Sequence, residues 1–288
     1  MLNKKICIGT AQFGMNYGIS NNSGKTTNNE LNKIFSILGK KNINFLDTSM
    51  NYGDSYKVLK KHNLKNFNII SKIPKITKKN QVEKLIFKKV LLSLKKLKID
   101  NFYGILLHNQ DDMMSSNSDE IYKALNKLKK DKKIKKIGLS IYNFDDAIKI
   151  LEKYKFDIIQ CPYNVVDRRM EKLSFKNFII KNKIEIHVRS IFMQGLLLMK
   201  KRPLKFKKYE KNFQAWDEIT YKNRINSVLH ALNFVMQNKI ITKIIVGIEN
   251  SNQLKDILNN YKKLKYNYPK KIMSMDINLI NPNNWSKL

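Results

Sequence analysis

Cysteine is nearly absent, with two residues, Cys7 and Cys161, in a chain of 288. Two cysteines supply neither a disulfide framework nor metal-ligand spacing, so no metal is expected and a reduced, cytoplasmic setting is. Long hydrophobic runs are missing too. No stretch approaches the roughly 18 consecutive apolar residues of a membrane-spanning helix, so no membrane association is expected. The opening Met1-Leu2-Asn3-Lys4-Lys5 leads into five mostly apolar residues, Ile6 to Thr10. That is shorter than the roughly 7–15 of a secretory h-region, and no signal peptide is predicted.

Acidic residues are scarce, 23 Asp and Glu against 56 Lys and Arg, for a formal net charge of +33. Such an excess raises the question of nucleic acid. Only five of the cations are arginine, however, and the lysines are spread over nearly every predicted helix, as in Lys60-Lys61, Lys88-Lys89 and Lys129-Lys130. Charge distributed in this way describes solvated helix faces, and no specific nucleic-acid partner is expected. The field still favours anionic ligands and salt-sensitive, non-specific polyanion binding.

What is present is a repeat of short apolar runs and amphipathic stretches. The strand candidates are Lys5–Thr10, Asn44–Thr48, Asn68–Lys72, Tyr103–His108, Lys135–Ser140, Asp157–Gln160, Glu185–Ser190 and Lys243–Ile248. Each is short and rich in Ile, Val, Leu or Phe, as buried parallel strands are. Between them lie helical patterns: Asn28–Lys40 with Leu31, Ile34, Phe35 and Leu38 on one face, Gln81–Leu97, Asp119–Lys130, and a helix capped by Asn143. Later helices are predicted to start near Met170, Tyr221 and Ser251.

Eight strand–helix repeats predict an α/β chain closed as a (β/α)8 TIM barrel, with residues 1–288 as one domain. The competing open, doubly wound sheet announces itself with a Gly-rich first turn; here that turn reads Gly9-Thr10-Ala11-Gln12-Phe13-Gly14, which is not GxGxxG. The stretch Leu198–Trp216, longer and more polar than its neighbours, is read as a mobile loop over the site.

In such barrels the chemistry sits at the C-terminal strand ends. Those ends carry Asp47 with Tyr52 close behind, Lys72, His108, Ser140, Gln160 and Arg189-Ser190. A free tyrosine, with a pKa of about 10, is too weak an acid at neutral pH. A nearby Lys ammonium favours the phenolate and draws that pKa down, and an Asp keeps the ammonium charged. A neutral His can donate to a carbonyl oxygen. Tyr52, Lys72, Asp47 and His108 together make a metal-free acid for a carbonyl, and a cofactor must bring the hydride.

The chain resembles the aldo-keto reductases in segments that follow the family's order: Ile8–Gly14, Phe45–Gly53, Ile70–Lys72, Leu106–His108, Ile137–Ser140, Gln160–Asn164 and Arg189–Leu197. The resemblance implies an NAD(P)-dependent oxidoreductase for a small-molecule carbonyl substrate. Tyr52 would be general acid and base, Lys72 and Asp47 would tune it, and His108 would orient the carbonyl. Ser140 and Gln160 would hold the nicotinamide carboxamide, and Arg189 would stand at the ring-stacking position. Ser190, Phe192, Gln194 and Gly195 match the loop over the pyrophosphate. Thr10 and Asp47 match further cofactor contacts. At the end of strand eight, Gly247 and Gln253 stand where NADPH-preferring members carry a Lys and an Arg. Family grounds still tip the expectation to NADP(H) over NAD(H).

Gln12, Tyr17, Asn51, Asn109 and Trp285 are candidate substrate contacts, the last on a tail expected to close over the pocket. The abundance of Asn and Gln at strand ends points to a polar, hydroxylated substrate such as a sugar. Two alternatives stand beside this reading. One is a Schiff-base lyase or aldolase barrel with Lys72 as nucleophile. The other is a redox-sensing partner protein that binds cofactor with little turnover. Oligomeric state is not legible.

Overall fold

In a computed structural model, which describes residues 2–77, 80–222, 226–259 and 261–288, eight parallel strands hydrogen-bond in sequence order and close on themselves, β1 against β8. They are β1 Ile6–Gly9, β2 Phe45–Asp47, β3 Asn68–Ile73, β4 Phe102–Leu107, β5 Ile134–Ser140, β6 Ile158–Pro162, β7 Glu185–Arg189 and β8 Ile241–Gly247. All eight expected strands are present, and the chain is a closed (β/α)8 barrel.

Alternation along each strand divides the core in two. Cys7, Phe45, Ile70, Leu106, Ile158 and Ile245 fill the barrel interior, while a larger layer, with Ile6, Ile8, Leu46 and Ile69 among its strand residues, packs outward against the helices. Towards the N-terminal mouth the interior turns polar. Glu185 there accepts from Tyr103 Oη at 3.0 Å and from Lys136 Nζ at 2.6 Å.

The main helices are α1 Asn28–Lys40, α2 Val82–Leu97, α3 Ser118–Lys130, α4 Phe144–Lys153, α5 Leu173–Lys181, α6 Glu210–Lys222, α7 Ser227–Gln237 and α8 Ser251–Asn259. Thr27 begins α1 by accepting the Glu30 N–H, and Asn143 begins α4 by accepting the N–H groups of Asp145 and Asp146, the capping roles their side-chain oxygens suit. The single helix expected near Tyr221 is instead two, α6 ending at Lys222 and α7 starting at Ser227. The side chains of residues 221 and 222 lie outside the described set, as do residues 223–225.

Leu198–Trp216 is not a free loop. It holds the turn Leu204–Tyr209 and the start of α6, and it is pinned at both ends. Trp216 Nε1 donates to Leu197 O at 2.8 Å, and Arg202 forks onto Asp217 at 2.7 and 2.8 Å. Among the described residues, no helix is long and apolar enough to cross a membrane.

Candidate active site

At the C-terminal mouth of the barrel lies a cleft of about 470 Å³. β2 and β3 are neighbours, so Asp47 and Lys72, both at strand ends, meet side by side. Lys72 Nζ lies 2.5 Å from Asp47 Oδ1, 3.0 Å from Thr48 O and 3.5 Å from Tyr52 Oη. Asp47 is 2% exposed and Lys72 1%, so this ion pair is almost wholly buried, with Asp47 forming part of the cleft floor above Lys72. Asp47 Oδ2 is also satisfied, by Gln160 Nε2 at 2.8 Å. The His108 ring stands edge-on to Tyr52, centroids 6.2 Å apart, and its Nδ1 is 3.4 Å from Ser49 Oγ. With Nδ1 accepting from that hydroxyl, Nε2–H remains to donate to a ligand.

Tyr52 is held in place by two glycines. A Cβ on Gly14 would sit 1.9 Å from Tyr52 O, and one on Gly53, where φ is +48°, would sit 2.5 Å from Gly14 O. The first βα turn and the Tyr52 turn therefore touch backbone to backbone. Asp54 N–H donates to Gly14 O at 3.0 Å across the same contact.

Burial decides the acid–base character of the site. It pushes the Tyr52 phenol above its ordinary value; Lys72 and Arg189 pull against that push, and Asp47 adds to it. The pull of Lys72 expected from the sequence is present but outweighed in the ligand-free cleft, because desolvation penalises the phenolate and the neighbouring carboxylate offsets the ammonium. For Lys72, burial alone would lower the ammonium, but Asp47 and Tyr52 overcome it and hold the group charged. His108 is driven down to about 4 by burial and by the Lys72 and Arg189 cations, so it is neutral at physiological pH.

The cleft runs from this cluster past Ser140, Gln160 and Arg189 and under Ser190, Phe192, Gln194 and Gly195 to Gly247 and Gln253. Gln12, Tyr17 and Asn51 line it as well. Three expected residues lie elsewhere. Thr10 is fully buried behind Asp47, its hydroxyl 2.9 Å from Ser55 Oγ and its N–H donating to Asp47 O, and does not reach the cleft. Asn109 turns its Oδ1 to the Asp111 N–H, capping the turn Gln110–Met114. Trp285 is core: it packs against Phe206 and donates Nε1–H to Leu279 O at 2.8 Å, while Asn283 from the same tail lines the cleft.

Sequence reasoning passed over Tyr142. Its ring lies 4.1 Å from the Arg189 guanidinium, which also donates to Ile141 O at 3.1 Å. The guanidinium is thereby held against the Tyr142 ring and Ile141 O at the β7 end. Tyr142 stands two residues past the end of β5 at Ser140, so a positional signal was there. Glu249 and Asp256, also on the cleft, had none.

A dinucleotide fits these residues. With the Gln160 amide nitrogen committed to Asp47, its Oε1 is left to accept a carboxamide N–H. The loop after β7 places Ser190, Met193 and Gln194 at positive φ. That backbone is costly for residues with a Cβ, and it gathers where ligands are clamped. Runs of this kind also turn successive N–H groups to one side, as anion-binding turns do.

The chain matches the family model described as the aldo/keto reductase family over residues 5–273. Among solved structures it is similar to an aldo-keto reductase from Bacillus halodurans in its holo form, at 18% identity and TM-score 0.72, covering 93% of this chain and 90% of that one. It is also similar to a putative aldo-keto reductase from Pseudomonas aeruginosa, at 19% identity and TM-score 0.66, with 88% of each chain covered. No curated protein matches it.

Proposed function

The chain belongs to the aldo/keto reductase family, and from that premise we propose that it reduces a polar aldehyde or ketone, with Tyr52 as proton donor and His108 as carbonyl orienter. One observation carries the reading: Lys72 Nζ stands between Asp47 Oδ1 and Tyr52 Oη, at 2.5 and 3.5 Å, at the foot of a cleft of about 470 Å³ whose lining reaches Gly247 and Gln253. The bound nicotinamide would supply the hydride. The remaining work falls to the chain. Neutral His108 donates Nε2–H to the carbonyl oxygen, and Tyr52 Oη passes its proton to that oxygen as charge develops there. The phenolate left behind faces the Lys72 ammonium, which Asp47 keeps charged. Alcohol oxidation runs the same steps in reverse. Ser140 and Gln160 would hold the carboxamide, Arg189 would back the ring, and Ser190, Phe192, Gln194 and Gly195 would cover the pyrophosphate.

The substrate end is lined by Tyr17, Asn51, Tyr142 and Asn283, all with hydrogen-bonding side chains, which suits a hydroxylated substrate such as a sugar, while the Gln12 amide lies against Gly247 at the β8 end. A Schiff-base role for Lys72 needs a neutral amine, and the buried Asp47 partner opposes one. The test is cofactor oxidation across an aldehyde and ketone panel. Tyr52→Phe should lower turnover by at least about 10²-fold while cofactor affinity stays unchanged. Near-native rates in that variant would overturn the assignment. Cofactor binding with no turnover on any carbonyl would favour a redox-sensing partner instead.

A further inference from the structure

Resting on the nicotinamide reading above, we infer that the cleft selects NAD(H) over NADP(H), because the end that receives the adenosine ribose presents carboxylates where a 2′-phosphate needs cations. The polarity of the cleft follows from the chemistry. The hydride must reach a carbon whose oxygen is held by Tyr52 and His108, so the nicotinamide lies at the β2–β4 side. The cleft then passes the loop after β7 and ends on β8 and α8, at Gly247, Glu249, Gln253 and Asp256. Among the described residues that line the cleft, the arginine is Arg189, at the nicotinamide end, and there is no lysine.

Three features of the far end turn away a phosphate. First, two N–H groups at the N-terminus of α8, which could otherwise be offered to an anion, are already taken. Ser251 N–H donates to Glu30 Oε2 at 2.7 Å, and Gln253 N–H to Asn250 Oδ1 at 3.0 Å. Second, Gly247 cannot be replaced by a gripping side chain without moving Gln12, since a Cβ there would lie 2.7 Å from Gln12 Nε2. Gln253 uses its Oε1 to accept the Glu249 N–H at 2.8 Å, which leaves a neutral Nε2–H group, not a cation, to meet a phosphate. Third, the lysines of neighbouring segments do not line the cleft. Lys33 pairs with Glu30 at 2.8 Å and Lys25 with Asp54 at 3.0 Å. Lys255 borders a separate depression with Lys40 and Lys41.

The two cofactors differ only at this end. A ribose diol brings hydroxyl donors that Glu249 or Asp256 can accept. A 2′-phosphate brings acceptors and about two negative charges of the same sign as those carboxylates. This inference runs against the sequence-based lean to NADP(H): beside the two missing cations the cleft carries the carboxylates of Glu249 and Asp256.

Fluorescence titration of the full chain with NADH and NADPH, in about 0.15 M salt to screen the general positive field, tests this. NADH should bind at least about tenfold more tightly. A Glu249→Gln, Asp256→Asn double variant, checked for native circular dichroism, should narrow the gap by weakening NADH and strengthening NADPH. Equal or tighter binding of NADPH by the unaltered chain, or an unchanged ratio in the double variant, overturns the inference and leaves the reductase reading standing. If neither cofactor binds, the nicotinamide reading falls and this inference with it.

Discussion

Gln160 on β6 reaches across the barrel to Asp47 on β2, Nε2 to Oδ2 at 2.8 Å, and so gives the buried carboxylate a second donor opposite Lys72. A buried carboxylate left short of donors is costly, so this contact matters to stability as well as to orientation. Gln160→Leu should destabilise the chain by about 1–3 kcal/mol and loosen cofactor binding together. Urea unfolding and cofactor titration on the same variant check both halves. Loss of affinity with unaltered stability would show that Gln160 serves the ligand alone.

Lys72→Met should be more damaging. The ammonium and carboxylate are both almost fully buried, and removing one strands the other. Breaking such a pair costs about 3–5 kcal/mol. The expected result is a large fall in the urea midpoint together with loss of turnover. Lys72→Met combined with Asp47→Asn should recover much of the stability and none of the activity. A single variant as stable as the parent would contradict the buried ion pair.

His108 makes stability depend on pH in a defined direction. Its folded value, about 4, lies below the ordinary imidazole value of 6.5. Between those values the unfolded chain binds the proton and the folded chain does not, so stability falls as pH drops through this window. The contribution is complete above the unfolded value. His108→Gln should therefore flatten the decline in melting temperature on acidification from neutral pH to about pH 4. An imidazole that titrates near 6.5 by NMR would contradict the buried, cation-flanked setting.

Gly14→Ala should impair the site without touching it. The added methyl would meet Tyr52 O and, at 2.3 Å, Ser55 N, both backbone atoms with little freedom to yield. Tyr52 would be pushed off the Lys72 contact, and turnover should drop by at least about tenfold along with thermal stability. Gly39→Ala, where a Cβ meets nothing within 4 Å, serves as the control and should leave both intact.

Much of this was legible in the chain because strand order and strand-end chemistry are local properties. Short β-branched runs alternate with helical faces, and parallel closure in sequence order then carries the last residue of each strand to one mouth. That rule brings Asp47, Lys72, His108, Ser140, Gln160 and Arg189 together without any knowledge of packing. It reaches only residues tied rigidly to a strand. Asn109, two residues past the end of β4, is already governed by the turn it caps. Thr10 follows β1 directly, yet its hydroxyl turns to Ser55, a partner 45 residues away.

The chain by itself determined the barrel, its eight strands and the convergence of a phenol, an ammonium, a carboxylate and an imidazole, since periodicity and order suffice for each. Tertiary structure alone decided the rest. It put Trp285 in the core rather than the pocket, laid Arg189 on Tyr142, set burial above the Lys72 charge in governing Tyr52, and brought Glu30 to the head of a helix 221 residues later. These outcomes depend on which surfaces exclude water and which loops meet once the barrel is closed, and no window of sequence contains both partners.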